Sequence, residues 1–338
     1  MKVENDRETG NAKGGMMMRL AAGLCFLSVL TFGPGIAAAQ DSYPSRPVSL
    51  VHGFAAGGNA DVISRIMAEQ LSKNLGQSVV VEPKPGAGGN IASAFVAKAP
   101  ADGYTMQLLV GGHTASAAIY KKLPFDPVKD YTFISIVAKF PFFIAVKAGA
   151  YPSLQALIAK AKANPGGLNF GTAGVGTTQH LTGELLAQRT GTRFTHIPFQ
   201  GGPATMTALL RGDVDFIVET GTVVKSQAAA GAVDLVAVSS RERWIHAPKV
   251  PTIAETVVPD FDIISWTGIG VPTGTPAAVV DRLRSEVRHA LASATVQERL
   301  RGLDTEPAPS SSAEMGELIS RQIDTWTRVV EQAGIEKR

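Results

Sequence analysis

The sequence predicts an α/β protein in which strands and helices alternate along the chain. Short apolar runs rich in β-branched residues are repeatedly followed by a glycine-bearing turn and then by a segment with helical period. Of the 338 residues, 45% are hydrophobic and 18% are charged, which is typical of a compact chain rather than a disordered one. The length is sufficient for two domains, each with its own core.

The chain begins with the features of a cleavable export signal. An apolar run from Leu20 to Phe32 follows Arg19, and the small residues up to Ala39 predict cleavage after that residue, so residues 1–39 form a signal peptide. The run is shorter than the roughly 20 residues that a membrane-spanning helix needs. The sequence leaves the start of translation open among Met1, Met16, Met17 and Met18.

Charge and cysteine content exclude several function classes. Removing residues 1–39 takes away four basic and three acidic residues, so the net charge falls from +3 to +2, too little for a nucleic-acid-binding surface. The single cysteine, Cys25, lies inside the signal peptide, and the six histidines lack the spacing of metal ligands. We therefore predict no metal, no cofactor and no nucleic-acid partner.

The first strand-turn-helix unit runs from Val48 to Leu71. Its apolar strand leads into a turn with two glycines, and apolar residues from Val62 onward then recur with helical period. A glycine-fed helix start presents free N–H groups and a partial positive charge, which favours an anion such as a carboxylate. Asn59 or Asp61 can cap this helix. A structural turn without a guest is the alternative. The candidate ligand-binding residues here are Phe54, Ala56, Gly57, Gly58, Asn59, Ala60 and Asp61.

Two further strands follow the first unit. A strand from Ser78 to Glu82 precedes the glycine-rich turn Pro83 to Asn90 and a helix from Ile91 to Ala99, but Ile91 replaces the third glycine of a dinucleotide-binding motif. A strand from Thr105 to Val110 then ends in two glycines and His113. We predict that His113 reaches the ligand; a solvated or structurally bonded histidine is the alternative.

A second copy of the opening unit occupies the middle of the chain. Two strands, Phe133 to Val137 and Phe142 to Val146, are predicted to join through Pro141, and a helix from Leu154 to Ala163 follows them. A strand from Leu168 to Gly171 then enters another glycine turn with two hydroxyl residues. The candidate ligand-binding residues of this turn are Ala173, Gly174, Val175, Gly176, Thr177 and Thr178.

A third glycine-fed helix start follows at Gly201 to Pro203, where Phe199 can offer an aromatic face to a ligand. The next strand, Val214 to Val218, ends at Glu219, at the strand end where α/β proteins bind ligands; a solvated or capping glutamate is the alternative. The remaining elements are a strand at Val233 to Val238 and helices at Ala278 to Leu291, Thr295 to Leu303 and Ala313 to Ala333.

Several motifs, in one order over nearly the whole chain after the signal peptide, resemble one family. They are YPSRPVSLV (Tyr43 to Val51), FAAGGNADV (Phe54 to Val62), VVVEPKPGAGGNIA (Val79 to Ala92), ADGYT (Ala101 to Thr105), YKKLPFDPVKD (Tyr120 to Asp130), GTAGVGTTQHLTGELL (Gly171 to Leu186), HIPFQGG (His196 to Gly202), VPTIAE (Val250 to Glu255) and SWTGIGVPTGTP (Ser265 to Pro276). With them the chain resembles the extracytoplasmic solute receptors of tripartite tricarboxylate transporters, the Bordetella uptake family, within the type II periplasmic binding fold.

This resemblance implies two α/β domains around a ligand cleft, joined by two crossover strands near Phe140 to Phe142 and Ser265 to Thr267. One domain comprises residues 43–140 and 266–338, and the other residues 141–265. It further implies a monomer in the periplasm. By the same resemblance, main-chain groups and waters of the two glycine loops are expected to hold the carboxylate of a small organic acid or amino-acid-like ligand. Large and small membrane subunits of a transporter are the implied partners.

Three departures from the family pattern bear on the ligand. Ala60 stands where a hydroxyl residue is usual, His52 and Gly53 replace an apolar residue and a proline, and Glu219 with Thr220 replaces an Asp-Asn pair. An acid facing the cleft repels a second carboxylate unless a water, an ammonium or a proton intervenes. We therefore expect one carboxylate at the first loop and a hydroxyl, amine or aromatic portion toward Phe199 and Glu219.

The function expected from the sequence is capture of a solute rather than catalysis. The sequence contains no nucleophile elbow, Walker-type phosphate loop or zinc-protease motif. A sensor of the same fold without a role in transport is the first alternative, and an exported α/β hydrolase, whose catalytic residues meet only in the fold, is the second. The sequence leaves the identity of the ligand and the existence of membrane partners open.

Overall fold

The computed structural model describes residues 43–338, which lie in one compact unit. The predicted signal peptide, with Cys25 and the candidate start methionines, lies outside the described residues. Within the described part of the chain, no helix combines the length and the apolar character needed to cross a membrane.

Ten strands and eleven α-helices follow one another in the described chain. The strands are β1 (Val48–His52), β2 (Val79–Pro83), β3 (Thr105–Val110), β4 (Tyr131–Lys147), β5 (Asn169–Thr172), β6 (Thr195–Pro198), β7 (Phe216–Thr220), β8 (Val233–Val238), β9 (Ile264–Pro272) and β10 (Glu306–Pro307). The helices are α1 (Asn59–Leu75), α2 (Asn90–Ala97), α3 (Gly112–Ile119), α4 (Leu154–Ala163), α5 (Thr178–Thr190), α6 (Gly202–Arg211), α7 (Gly221–Ala229), α8 (Ile253–Thr256), α9 (Ala277–Ala292), α10 (Ala294–Gly302) and α11 (Ser312–Gln332), and a short 3₁₀ helix covers Ala87–Gly89.

The strands form a mixed sheet in the order β2-β1-β3-β9-β4-β7-β5-β6, with β8 and β10 added beside β4. Strands β1, β2 and β3 pair in parallel, as do β5, β6 and β7, whereas β9 is antiparallel to β3 and to β4. Strand β4 belongs to both halves: it pairs with β9 as far as Pro141 and with β7 from Phe142 onward. The partner of β4 therefore changes between these two residues.

Helices cover both faces of each half of the sheet. Along β4, Phe142 and Ile144 face a core that includes α4 and α5, whereas Phe143 and Ala145 face one that includes α6 and α7. In the other half, the adjacent residues Leu50 and Val51 point to opposite cores. This two-sided burial explains why the strands read as continuous apolar runs.

The alternating strand and helix pattern is confirmed, and most element ends lie within two residues of the prediction. Two predictions are wrong. The strands expected on either side of Pro141 are one strand of 17 residues, because Pro141 lies where the ladder with β9 ends and a missing N–H is tolerated. The segment after β3 is helix α3 rather than a loop, so His113 lies in a helix.

Candidate functional site

A cavity of about 40 Å³, the inner cavity, lies at the ends of several strands and the beginnings of the helices that follow them. It is lined by Phe54, Gly58, Asn59, Ala60, Val110, Gly111, Gly112, Phe140, Phe142, Ala173, Thr177, Thr178, Gln179, Gly202, Glu219, Thr220 and Ser265. Eight of these residues, including Ala60, Thr178 and Glu219, are among the predicted ligand-binding residues.

Five helices present their first turns to the inner cavity. The starts of α1, α5 and α6 were predicted to face a ligand, and those of α3 and α7 join them through Gly111 and Thr220. Each helix start carries backbone N–H groups without helical partners and a partial positive charge. Among the described residues that line the cavity, none is Lys, Arg or His. The cavity therefore favours an anion through its main chain rather than through cationic side chains.

Three polar side-chain atoms that face this cavity are buried without a hydrogen-bond partner in the described part of the chain. They are Thr178 Oγ1, Glu219 Oε1 and Thr220 Oγ1. Leaving a buried polar group unpaired costs about 1–3 kcal/mol, so folded proteins rarely do so. Three such atoms around one cavity mark it as a place where a bound molecule, either a ligand or a water, can supply their partners.

Glu219 is the only acidic residue among those that line the inner cavity in the described chain. It is 1% exposed, and its Oε2 accepts a 3.1 Å hydrogen bond from the backbone N–H of Thr220. Burial raises the pKa of Glu219 to about 7, although this N–H and the nearby side chains of Thr205 and Gln179 oppose the rise. The carboxyl group is therefore poised between its acid and its ionised form near neutral pH.

The first loop, Phe54 to Asp61, is held by a buried network of charged and polar side chains. Asp61 accepts hydrogen bonds from the backbone N–H of Gly57 at 2.9 Å and from Arg65 Nε at 3.0 Å. Burial by itself would raise the pKa of Asp61, but these bonds and the Arg65 charge hold it below its usual value. The predicted capping by Asn59 or Asp61 is wrong: the N-cap of α1 is Gly58, without a side-chain bond.

His52, which departs from the family pattern, completes this network. Its Nε2 lies 3.3 Å from Asp61 Oδ1, and its Nδ1 accepts the backbone N–H of Phe54 at 3.4 Å. Both contacts fit the neutral ring with its proton on Nε2, and burial lowers the pKa of His52 in agreement. His52 thus connects the end of β1 to the turn that begins α1.

The second loop, Ala173 to Thr178, is held by neutral groups. Thr177 is the N-cap of α5: its Oγ1 accepts the backbone N–H of His180 at 3.3 Å and donates to Gly174 O at 2.7 Å. Thr172 Oγ1 lies 2.7 Å from His196 Nε2. No charged side chain bonds this loop among the described residues.

The two halves of the structure contact each other beside the cavity. Thr222 Oγ1 at the start of α7 donates to Asn59 Oδ1 at 2.6 Å, and Ser116 Oγ in α3 donates to Gly176 O at 3.3 Å. Asn59 thus contacts the opposite half and lines the inner cavity with its neighbours.

A second cavity of about 260 Å³, the outer cavity, is lined by other predicted ligand-binding residues. Gly174, Val175 and Phe199 line it, and Phe54 and Ala173 separate it from the inner cavity because they line both. Phe199 and Glu219, which were predicted to face the same portion of a ligand, therefore line different cavities.

Five predicted residues line neither of these two cavities. Among them, Ala56 and Gly57 are exposed, whereas Asp61 and Gly176 are buried within their loops. His113 also lies outside both. Its ring is 4% exposed, contacts Pro127 O through Nε2 at 2.8 Å and stacks on Phe125. Burial lowers the pKa of His113 to about 4, so the ring is neutral and bonded within the protein.

Several lining residues were missed by the sequence reasoning. They are Val110, Gly111, Gly112, Phe140, Phe142, Gln179, Thr220 and Ser265, whereas Gly202 was predicted only as part of the start of α6. The glycine pair after β3 was a usable signal, because a side chain at Gly111 would collide with Ser265 Oγ and Thr178 Oγ1. The aromatic residues of β4 carried no such signal, since they resemble ordinary core residues.

The family model described as "Tripartite tricarboxylate transporter family receptor" matches residues 63–335. The chain belongs to this family. Protein BugT of Bordetella pertussis is 32% identical over 324 residues, which cover 94% of this chain and 99% of BugT. The predicted family is therefore confirmed, and it is a family of solute receptors rather than of enzymes.

Solved structures confirm the predicted periplasmic binding fold. R. palustris Rpa4515 with adipate is 34% identical, with a TM-score of 0.84 over 87% of this chain and 99% of that protein. MatC from Rhodopseudomonas palustris with bound malate is 30% identical, with a TM-score of 0.81 over 85% of this chain and 100% of MatC.

Proposed function

We propose that this receptor works in the periplasm, where it captures a small carboxylate-bearing metabolite in the inner cavity and delivers it to the membrane subunits of a tripartite transporter. The observation that carries the proposal is the convergence of five helix starts on a cavity that holds three unpaired buried polar atoms. Free N–H groups and hydroxyls are the donors that a carboxylate requires. The adipate and malate bound by two structural neighbours belong to this chemical class.

The two-domain division predicted from the sequence forms part of this proposal. The change of partner along β4 between Pro141 and Phe142 supports a boundary there, and we place the second crossing at the start of β9, opposite Pro141. We infer that residues 43–140 with 266–338 close against residues 141–265 around the ligand, and that a monomer presents the closed form to both membrane subunits. Small-angle scattering should show a smaller radius of gyration once ligand is added.

Binding is tested on the chain from Gln40 to Arg338 after unfolding and refolding, which removes any ligand carried through purification. A thermal-shift screen covers adipate, malate and other mono-, di- and tricarboxylates, together with amino acids and aromatic acids. A ligand at a hundredfold excess over its Kd stabilises the native state by about 2.7 kcal/mol. Absence of a shift with every acid would refute the proposal.

A matched pair of variants tests the place of binding. Thr178 and Thr267 are both buried threonines whose hydroxyls have no partner in the described chain, but only Thr178 lines the inner cavity. Thr178→Val removes a donor to the ligand and should weaken binding about tenfold. Thr267→Val should leave the Kd of the same acid unchanged in calorimetry.

A further inference from the structure

Glu219 is an ionisable group that the proposed capture of one carboxylate does not explain. Its side chain is buried, and none of the described ion pairs includes it. The groups that face it from the surrounding elements are uncharged: they are Phe142 and Phe143 of β4, Thr178 and Gln179 of α5, Gly202 and Thr205 of α6, and Thr220 of α7. A charge on Glu219 would thus have no compensating side chain.

The two oxygens of Glu219 have different surroundings. Oε2 accepts the backbone N–H of Thr220, and a side chain at Gly202 would lie only 3.2 Å from it. Oε1 is buried, has no partner among the described residues, and belongs to a side chain that lines the inner cavity. Oε2 is therefore oriented by the protein, whereas Oε1 is left for the ligand.

We propose that Glu219 binds the ligand as a carboxylic acid, donating the hydrogen on Oε1 to a second carboxylate, so that the receptor selects dicarboxylates and takes up one proton on capture. This inference rests on the proposed function and adds the ligand class. The starts of α6 and α7 lie beside Glu219, and those of α1, α3 and α5 line the rest of the cavity. Both ends of a dicarboxylate therefore meet the positive ends of helices.

The same helix starts argue against an ammonium group as the partner of Glu219. Cations are unfavourable near a helix N-terminus, and five such ends line this cavity. An ionised Glu219 would repel a second carboxylate, whereas the acid form makes a short O–H···O⁻ hydrogen bond to it. Since burial raises the pKa of Glu219 to about 7, protonating it near neutral pH costs little free energy.

The proposal fixes the sign of the pH dependence. Below the pKa of Glu219 in the free receptor, the acid form is already present and affinity is constant. Above it, each pH unit should weaken dicarboxylate binding up to tenfold, until the still higher pKa of the complex is reached. An ammonium ligand paired with ionised Glu219 would give the opposite slope.

The experiment measures Kd by calorimetry between about pH 6 and pH 9, and proton uptake in two buffers of different ionisation enthalpy. The probes are adipate, hexanoate, which lacks the second acid, and 6-aminohexanoate, which replaces it with an ammonium. If adipate gives no signal, succinate, glutarate and malate replace it. We expect the dicarboxylate to bind at least tenfold more tightly than the other two probes, with uptake approaching one proton above the pKa of Glu219.

Glu219→Gln keeps a hydrogen donor without an ionisable group, so its dicarboxylate affinity should not change with pH. Glu184→Gln is the control, because burial also raises the pKa of Glu184 but this residue lines neither the inner nor the outer cavity; it should keep the wild-type slope. Wild-type binding without proton uptake, or preference for 6-aminohexanoate, would overturn the inference on Glu219 alone. Failure of every acid to bind would instead overturn the proposed function.

Discussion

The first and second loops have the same design in sequence but are held in place by different chemistry. Each follows a strand, turns on glycines and begins a helix at the inner cavity. The first loop depends on Asp61, His52 and Arg65, whereas the second depends on the hydroxyls of Thr172 and Thr177. Equivalent main-chain geometry at a ligand can thus be supported by ionised or by neutral groups.

This difference has consequences for stability and for pH. A buried charged network is costly to break, since each partner left behind is an unpaired buried group. A network of hydroxyl groups loses less stability when one member is removed. We therefore expect loss of a buried member of the first-loop network to cost more than loss of a hydroxyl group in the second loop.

The largest effect is expected for Asp61→Ala, which leaves Gly57 N–H and His52 Nε2 without their acceptor. We expect a loss of about 4 kcal/mol in the free energy of unfolding, measured by urea denaturation at pH 7. Glu69→Ala in the same helix is the control, because the exposed carboxylate of Glu69 pairs only with exposed cations and its loss should leave the stability almost unchanged. Equal losses in the two variants would contradict the comparison.

Acid should weaken the network that holds the first loop in the wild-type protein. The pKa of Asp61 is lowered in the native state, so its contribution is present above the unfolded value near 3.8 and is lost as pH falls through the native value. The pKa of His52 is also lowered, so stability already declines as pH falls below 6.5. The difference in stability between wild type and Asp61→Ala should therefore shrink in acid.

Glu219→Gln sharpens the comparison by removing a buried acid that belongs to neither loop. The pKa of Glu219 rises from 4.5 to about 7 on folding, so its ionised form weakens the fold as pH rises through this interval. We expect the variant to be about 2 kcal/mol more stable than wild type at pH 8, below the roughly 3 kcal/mol that the shift implies, because the new amide is incompletely bonded. At pH 4, where Glu219 is protonated in both states, only the cost of the amide remains and the variant should be about 1 kcal/mol less stable than wild type; thermal unfolding at the two pH values tests this.

Thr177→Val removes the N-cap hydroxyl of α5 and its bond to Gly174 O. The expected cost is about 1 kcal/mol, typical of a lost helix cap, and it should be independent of pH. Thr177→Ser restores the hydroxyl and should recover most of the stability. A cost as large as that of Asp61→Ala would show that the neutral loop is no more tolerant than the charged one.

The smallest effect is expected for Arg65→Met. Arg65 bonds both oxygens of Asp61, but its own side chain is 57% exposed, so solvent screens the pair. We expect a loss of about 0.5 kcal/mol in low salt and less in high salt, measured by denaturation at two ionic strengths. A salt-independent loss would mean that packing of the side chain, rather than its charge, supports the loop.

Much of the fold was predictable because its signals are local. Helix α4 and strand β8 have the predicted ends, since helical spacing with an Asn-Pro stop and a β-branched run are properties of adjacent residues. Strand β4 was divided at Pro141 because the sequence does not show where a sheet partner changes. Helix α3 was missed because its Gly-Gly start resembles a loop.

The candidate site was predictable to the same extent. Glycine turns in the sequence indicate the starts of α1, α5 and α6, and all three line the inner cavity. The separation of Phe199 from Glu219 depends on where Phe54 and Ala173 lie between them, which is a tertiary property. The unpaired Oε1 of Glu219 likewise depends on neighbours from four different elements.

The place of β9 in the sheet has a consequence for how this chain folds. One edge of β3 stays unpaired until β9 pairs with it, and strands β5 to β8 lie between β3 and β9 in the chain. Pairings so distant along the chain slow folding, whereas β5 to β7 pair with near neighbours. The half of the sheet that contains β1 to β3 is therefore completed last, although its strands come first in the chain. A chain that ends before Ile264 leaves the edge of β3 unpaired, and an unpaired strand edge promotes aggregation.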